Sequence, residues 1–332
     1  MNMIMLLTLS KWPRFHDTMM ILLGIYVTGI KLGQVCCENR DLWDEWWGYG
    51  SGTSGPEFWG KLYSICSKGK YQSPINIDPD FMIYDPNLSS VAYEGSRVNG
   101  TLRNTRHDLT FEVNYSDPHS NSFIFRTGPL SYAYRLYNIK MHFGLFDDLG
   151  SEHTIAGKRF PIELQFMGFN IDLFKNHTEA VMSTHGLAII SVLGSIGEMM
   201  NLEFDKVLTA VKYMNKQGDK QPILDFNILD IIPRTTLFIT YEGSLTQPGC
   251  QETVTWLIVN KPLHISKQQI MSLRELQEWS DHRPSVEANN FRPTLPVNRR
   301  VVRTNIKPFH ESEECALKVQ KSYKVNRSIL GL

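Results

Sequence analysis

The side chains best suited to chemistry lie on two short segments in which apolar and polar residues alternate. In the first, Lys140 and His142 are two positions apart, so in a β-strand both side chains project from the same face. In the second, Glu163 and Gln165 share a face in the same way. An imidazole is a common metal ligand, whereas an ammonium group has no acceptor to offer. Lys140 is also open to a second interpretation, a catalytic amine whose pKa is lowered by burial.

The segments around these residues resemble the zinc-binding region of the alpha-carbonic anhydrases. Residues 134–144, 150–154 and 162–165 match that region without insertion or deletion. The resemblance runs from about residue 47 to about residue 303, and its further blocks are Gly48-Tyr49-Gly50, Gly55-Pro56-Glu57-Phe58-Trp59, Gln72-Ser73-Pro74-Ile75-Asn76-Ile77, Ser244-Leu245-Thr246-Gln247-Pro248 and Val254-Thr255-Trp256. It implies a mixed α/β, mostly β fold: a single domain with a large, twisted, mainly antiparallel central sheet flanked by short helices.

The three zinc-binding histidines of that family correspond here to Lys140, His142 and Gln165. Catalytic zinc needs three neutral or anionic protein ligands and an open position for water. An ammonium group is cationic up to a pKa of about 10.4, and Gln165 offers only a weak amide oxygen. We therefore expect no zinc and no other cofactor, and His142 as a hydrogen-bonded interior histidine. The Lys140 ammonium is expected to replace the zinc charge and to pair with Glu163 or Glu152.

Other residues of the family's active site are present. The resemblance implies that Thr246 and Glu152 orient the zinc-bound hydroxide in active relatives, that Glu163 supports the ligands and that His107 shuttles protons. Without a metal, we expect these side chains to hold loop and strand together by hydrogen bonds. The resemblance implies that the carbon dioxide pocket is filled, because Met167 and Ile189 stand where active relatives carry valine. Its vestigial positions are Met167, Ile189, Leu245 and Trp256.

Loss of zinc ligands defines the acatalytic carbonic anhydrase-related proteins, and the chain is most similar to their secreted branch (types X and XI). Asn290-Phe291-Arg292-Pro293 and Arg303-Thr304-Asn305-Ile306 are similar to that branch's C-terminal extension. The resemblance implies no catalysis and a role as an extracellular ligand for a neuronal cell-surface protein of the neurexin type. The alternatives are a residual zinc-dependent carbonic anhydrase that hydrates carbon dioxide with His142, and an esterase-like activity in the same pocket.

Composition agrees with an exported protein without a nucleic-acid partner. The 332 residues carry 34 basic and 34 acidic side chains, so no net charge attracts the chain to nucleic acid. Residues 19–30 form an apolar run preceded by Lys11 and Arg14, which predicts a secretory signal peptide over residues 1–35. The run is much shorter than the ~20 residues that span a bilayer, so we expect no transmembrane anchor; a signal anchor is the alternative.

The cysteines and sequons fit the same compartment. The resemblance pairs Cys66 with Cys250, as in secreted members of the family. Cys36, Cys37 and Cys315 are left over, which predicts a second bridge plus a free thiol, or an intermolecular bond, unless signal cleavage removes Cys36 or both of the first two. The candidate glycosylation sites are Asn87, Asn99, Asn114, Asn176 and Asn326.

The elements that must position these residues can be read in outline. Residues 38–281 are expected to form the carbonic anhydrase-like domain. Residues 282–332, with several prolines and arginines, are expected to be a basic extension outside the core that contacts the partner, together with Cys315. Apolar residues at helical spacing predict a helix over residues 204–211, and the capping box Ser266 to Gln269 predicts the start of another.

Overall fold

A large twisted sheet, mainly antiparallel, organises the part of the chain that the structure describes. This computed structural model describes residues 47–115, 122–277 and 289–307, and the account below concerns the unit that begins at Gly48. Its strands are β1 (Asn76–Ile77), β2 (Ile83–Tyr84), β3 (Val91–Glu94), β4 (Arg97–Asn104), β5 (Leu109–Val113), β6 (Ile124–Thr127), β7 (Leu130–Phe143), β8 (Thr154–Ile155), β9 (Ile162–Asn170), β10 (Leu187–Gly197), β11 (Lys220–Asn227), β12 (Phe238–Gly243), β13 (Val254–Val259), β14 (Leu263–Ser266) and β15 (Arg303–Thr304). The α-helices are α1 (Ile65–Lys68), α2 (His177–Val181), α3 (Phe204–Val211) and α4 (Lys267–Arg274).

Thirteen of the strands in the described residues form one sheet. Its main order is β11-β4-β5-β7-β9-β10-β13-β12-β15-β2, with β14 on β10, β6 on β7 and β3 on β6. The pairs of β10 with β13 and β14, and of β15 with β2, are parallel, and the other pairs of this sheet are antiparallel. The predicted fold class is therefore confirmed.

Apolar side chains cover both faces of the central strands. β9 is buried at every position because α3 and α4 contribute to a core cluster on one face and a second cluster lies on the other. Burial of one large apolar side chain stabilises the fold by about 1.5–3 kcal/mol. The central strands β7, β9 and β10 are thus held rigidly, which fixes the side chains that they carry.

Both predicted helices are present. α3 buries Phe204, Val207, Leu208 and Val211, the residues whose spacing predicted it. α4 begins after Ser266, whose hydroxyl accepts from the backbone N–H of Gln269 while the Gln269 side chain accepts from the Ser266 backbone N–H.

The expectation that residues from His282 onward lie outside the core is wrong for residues 290–306. β15 pairs with β12 and β2 inside the main sheet. Arg292 and Arg300, expected to be exposed, are 2% and 9% exposed. Their guanidinium groups donate to backbone carbonyls, those of Cys66 and Ser73 for Arg292 and that of Gln72 for Arg300. Five donors in a planar fork allow arginine to be buried when carbonyls surround it, and the basic composition concealed this.

A disulfide joins Cys66 at α1 to Cys250 on the loop before β13, as the resemblance implied. The two cysteines are 184 positions apart in the sequence. In the chain-entropy account, closing so long a loop stabilises the fold by ~4–5 kcal/mol. The predicted signal peptide and the residues Cys36, Cys37, Cys315 and Asn326 lie outside the described residues.

Candidate functional site

The pairing of β7 with β9 brings the three candidate positions together. Lys140 lies directly opposite Gln165, and His142 lies opposite Glu163. Facing partners in an antiparallel pair have Cβ atoms about 4.5–5.5 Å apart, so these four side chains form one cluster. His142 and Gln165 are buried, and Lys140 retains only 18% of its side-chain exposure.

Lys140 does not pair with Glu163 or Glu152, so that expectation is wrong. Its Nζ lies 3.2 Å from Asp108 Oδ2 and also donates to Gln247 Oε1. Gln247 in turn donates through Nε2 to Asp108 Oδ2 at 2.6 Å and to the Tyr49 hydroxyl at 3.0 Å. The ammonium group is therefore paired with Asp108 and Gln247 instead of the two glutamates.

Asp108 is the counterion that the sequence analysis missed. Burial works to raise the pKa of its carboxyl, but the Lys140 charge and hydrogen bonds from Thr110, Thr105 and Gln247 outweigh it and hold the pKa well below its usual range. Lys140 lies opposite Thr110 of β5, and Asp108, two positions earlier, directly precedes that strand. An acidic residue at that diagonal distance from a lysine is within reach on the same face, and this was the signal available.

His142 is oriented by the segment before β15. Its Nδ1 lies 2.6 Å from the Asn290 carbonyl oxygen, which can only accept, so Nδ1 carries the proton of this hydrogen bond. The Asn290 side chain accepts from Phe143 N and donates to the Met141 and His107 carbonyls. Within the described ranges, His142 Nε2 is buried without a hydrogen-bond partner, 3.5 Å from Glu152 Oε2.

Gln165 joins the two buried glutamates. Its Nε2 donates to Glu152 Oε2 at 2.7 Å and to Glu163 Oε1 at 3.1 Å. Glu152 Oε1 accepts from the Arg292 backbone N–H, and Glu163 Oε1 accepts from Ser191 Oγ and contacts His153 Nδ1 at 2.8 Å. Burial works to raise the pKa of Glu163, but His153 and further hydrogen bonds lower it to about 2. The Gln165 amide, at a position where the resemblance places a histidine, thus donates hydrogen bonds to two carboxylates.

The residues expected around this cluster lie near it, but their contacts differ from the functional ones. Thr246 and His107 are buried, and the recorded donors to the Glu152 carboxylate are Gln165 and Arg292 rather than Thr246. A proton shuttle must exchange protons with bulk water, and His107 is only 6% exposed. The vestigial pocket is packed: Met167 and Ile189 face each other across β9 and β10 and belong, with Trp256 and the partly buried Leu245, to the second core cluster.

Comparison with known proteins decides the family. A family model described as "Eukaryotic-type carbonic anhydrase" matches residues 54–306. The chain belongs to this carbonic anhydrase family. It is 38% identical over 260 residues to carbonic anhydrase-like protein 2 of Caenorhabditis elegans, which covers 76% of this chain and 77% of that protein. It is 32% identical over 371 aligned positions to carbonic anhydrase-like protein 1 of the same organism, covering 90% and 96%.

The carbonic anhydrase match includes residues 290–306, in agreement with their place in the sheet. It also implies a zinc ion, and the residues present do not fit one. The Lys140 ammonium points to Asp108, and the Gln165 amide nitrogen points to two carboxylates. Of Lys140, His142 and Gln165, only His142 offers a nitrogen lone pair, and catalytic zinc needs three protein ligands. Among the described residues, no group of three His, Cys, Asp or Glu side chains is arranged to hold a metal ion.

The Lys140–Asp108 pair predicts a pH-dependent loss of stability in Lys140→Met. Removing one partner of a buried pair costs ~3–5 kcal/mol because the other charge is left unpaired. Because the folded-state pKa of Asp108 is depressed, its stabilisation is present above its ordinary pKa and is lost as pH falls through the folded-state pKa. In Lys140→Met that pKa rises, so the deficit in unfolding free energy should be largest at neutral pH and smaller in acid.

Urea unfolding of native and variant protein at neutral and acidic pH measures this deficit. Lys158→Met, which changes an exposed lysine after β8, is the matched control and should be near neutral. A Lys140→Met deficit that is absent, or that increases toward acid, would contradict the assigned ion pair.

Proposed function

We propose that this protein is a secreted, zinc-free member of the carbonic anhydrase family that acts by binding a cell-surface partner rather than by catalysis. The observation that carries the proposal is the buried ion pair of Lys140 with Asp108 at a position where an active enzyme has a zinc ligand. A divalent ion near an ammonium group faces repulsion of several kcal/mol even at an effective dielectric constant of about 20.

The surroundings of the pair also oppose turnover. The Met167 and Ile189 side chains occupy the wall where a small substrate would lie, and both are almost fully buried. Glu152 receives hydrogen bonds from Gln165 and from the Arg292 backbone, so its lone pairs are engaged without a metal-bound hydroxide. These contacts favour a structural role for the former active-site residues.

Secretion is supported by the cysteine and sequon positions. The Cys66–Cys250 disulfide is stable in an oxidising compartment. Asn87 and Asn114 are exposed and are the sequons we propose to be glycosylated. By contrast, the side-chain oxygen of Asn99 accepts from Asp225 N, and that of Asn176 caps α2. No helix in the described ranges is long and apolar enough to cross a membrane.

The proposed partner is a cell-surface protein of the neurexin type, which follows from the resemblance to secreted carbonic anhydrase-related proteins. Fewer C-terminal residues are available to a partner than the sequence predicted, because residues 290–306 belong to the core of the domain. We therefore propose that binding uses the outer surface and the residues beyond Lys307, where Cys315 provides a thiol for an intermolecular disulfide.

Zinc content separates this proposal from the residual-enzyme alternative, which the unpartnered His142 Nε2 favours. Protein expressed with excess zinc and then gel-filtered is expected to contain far less than one zinc per chain and to hydrate carbon dioxide at the uncatalysed rate. One tightly held zinc per chain with measurable hydration would establish the alternative.

A surface-immobilised neurexin ectodomain then tests the partner, with Cys315→Ser as the variant that removes the thiol.

A further inference from the structure

Five cationic residues lie on two segments that adjoin at one corner of the sheet, and we call this set the basic corner. It consists of Arg103, Arg106, Lys212, Lys216 and Lys220. Two backbone hydrogen bonds hold the turn between β4 and β5 beside the segment that joins α3 to β11: Gly218 N donates to Asn104 O at 2.8 Å, and Asn104 N donates to Asp219 O at 3.0 Å. The cations are therefore close in space although more than a hundred residues separate the two groups.

Two of these cations occupy a position that is unfavourable without a ligand. Lys220 of β11 lies directly opposite Arg103 of β4 in the antiparallel register, so the two side chains share a face. Like charges that face each other across two strands destabilise the pair. Arg103 forms an ion pair with the Glu112 carboxylate at 3.6 Å, which is longer than a normal hydrogen bond.

Acidic residues compensate the basic corner only in part. In the described part of the chain, no ion pair is recorded for Arg106, Lys212, Lys216 or Lys220, and the three lysines are exposed. The Asp219 carboxylate accepts from the backbone N–H groups of Asn215 and Lys216, which fixes it in the turn. Five cations thus stand against three carboxylates, those of Glu112, Asp219 and Glu275, the last of which lines a cavity with Lys212, in a chain whose total charge is zero.

We propose that the basic corner binds a sulfated polysaccharide. The cations are spread over two turns and the edge strand β11, and the facing pair Arg103 and Lys220 has Cβ atoms about 5 Å apart, so the set suits a chain of repeated sulfates better than one small anion. Tyr213, 67% exposed beside Lys212, offers a ring on which a sugar can pack. The proposal rests on the proposed secretion only for the identity of the polyanion, because sulfated polysaccharides occur outside cells.

Titration of the purified full chain with a heparin decasaccharide tests the site. The variant Lys212→Gln/Lys216→Gln/Lys220→Gln is expected to bind at least ~10-fold more weakly and to release about three fewer counterions, which appears as a shallower slope of log affinity against log salt. The charge-matched control is Lys68→Gln/Lys158→Gln/Lys261→Gln, which changes three exposed lysines on other segments and should leave affinity and slope unchanged.

Four results would overturn the proposal: no decasaccharide binding by the native chain, equal weakening in the control, equal binding of a desulfated chain, or tighter binding of phosphatidylserine vesicles, which would assign the corner to membranes. Equal thermal midpoints of the two variants exclude unfolding as the cause. The measurement involves neither zinc nor a cell-surface protein, so its failure is separate from failure of the proposed function.

Discussion

The triple variant Lys140→His/Gln165→His/Asp108→Ala is expected to bind one zinc ion per chain, whereas the native protein should bind none. His142 is already oriented by the Asn290 carbonyl, which fixes its Nδ1 proton and leaves Nε2 facing the pocket. The Glu163 carboxylate now accepts from Gln165 and would accept from a histidine there in the same way. Hydrogen-bond partners of metal ligands commonly change metal affinity by about 10–100-fold. Since these partners are retained here, we expect restoration of the histidine ligands to restore zinc binding.

The third substitution follows from the ion pair. With Lys140→His and Gln165→His alone, the buried Asp108 loses its cation, and an unpaired buried charge costs ~3–5 kcal/mol. The double variant should therefore be less stable than the triple variant in the absence of zinc. Adding zinc should raise the thermal midpoint of the triple variant, because a ligand that binds only the folded state stabilises it.

Equilibrium dialysis with zinc followed by elemental analysis measures the binding, and Asp108→Ala/Lys140→Ala is the matched control that removes the pair without adding a ligand. A folded triple variant that binds no zinc would mean that the backbone of β7 or β9 has moved from the metal-binding arrangement. Carbon dioxide hydration by the triple variant should be low even with zinc, because Met167 and Ile189 fill the substrate wall.

The sequence was sufficient for the elements that local patterns and the resemblance carry, but not for the contacts that the candidate site residues make. The fold class, the capped helix α4 and the Cys66–Cys250 bridge were predicted because local patterns and the family resemblance carry them. The counterion of Lys140 was not predicted, because a resemblance to an enzyme points to the acidic residues of that enzyme's site, here Glu152 and Glu163. The acid that pairs with Lys140 is Asp108, which lies outside the blocks that carry the resemblance.

The C-terminal boundary was misjudged for a related reason. A segment with Pro293, Pro296 and several arginines is typical of an exposed tail, and only the register of β15 and the carbonyls around Arg292 and Arg300 show its place. Whether a charged side chain can be buried depends on acceptors that are distant in sequence. The acceptors of the Arg292 guanidinium belong to residues 66–73, more than two hundred positions away.

Truncation at this boundary should therefore have two opposite outcomes. A chain that ends at Lys307 is expected to fold, because it keeps β15 and the buried arginines. A chain that ends before Asn289 is expected not to fold. It would leave the backbone N–H of Phe143 and the carbonyls of Cys66 and Ser73 without their present partners, and it would remove β15 from β12.

The magnitude follows from the cost of each buried polar group. An unsatisfied buried donor or acceptor costs about 1–3 kcal/mol. The chain that ends before Asn289 also lacks the partners of His142, Met141 and Glu152. Six such losses reach the whole stability of a typical domain, about 5–15 kcal/mol. Secreted yield, near-ultraviolet circular dichroism and the thermal midpoint of the two truncated chains measure the difference. If the chain that ends before Asn289 were secreted with a native spectrum and midpoint, residues 290–306 would be a tail outside the core, and the contacts described for Asn290 and Arg292 would not hold the domain together.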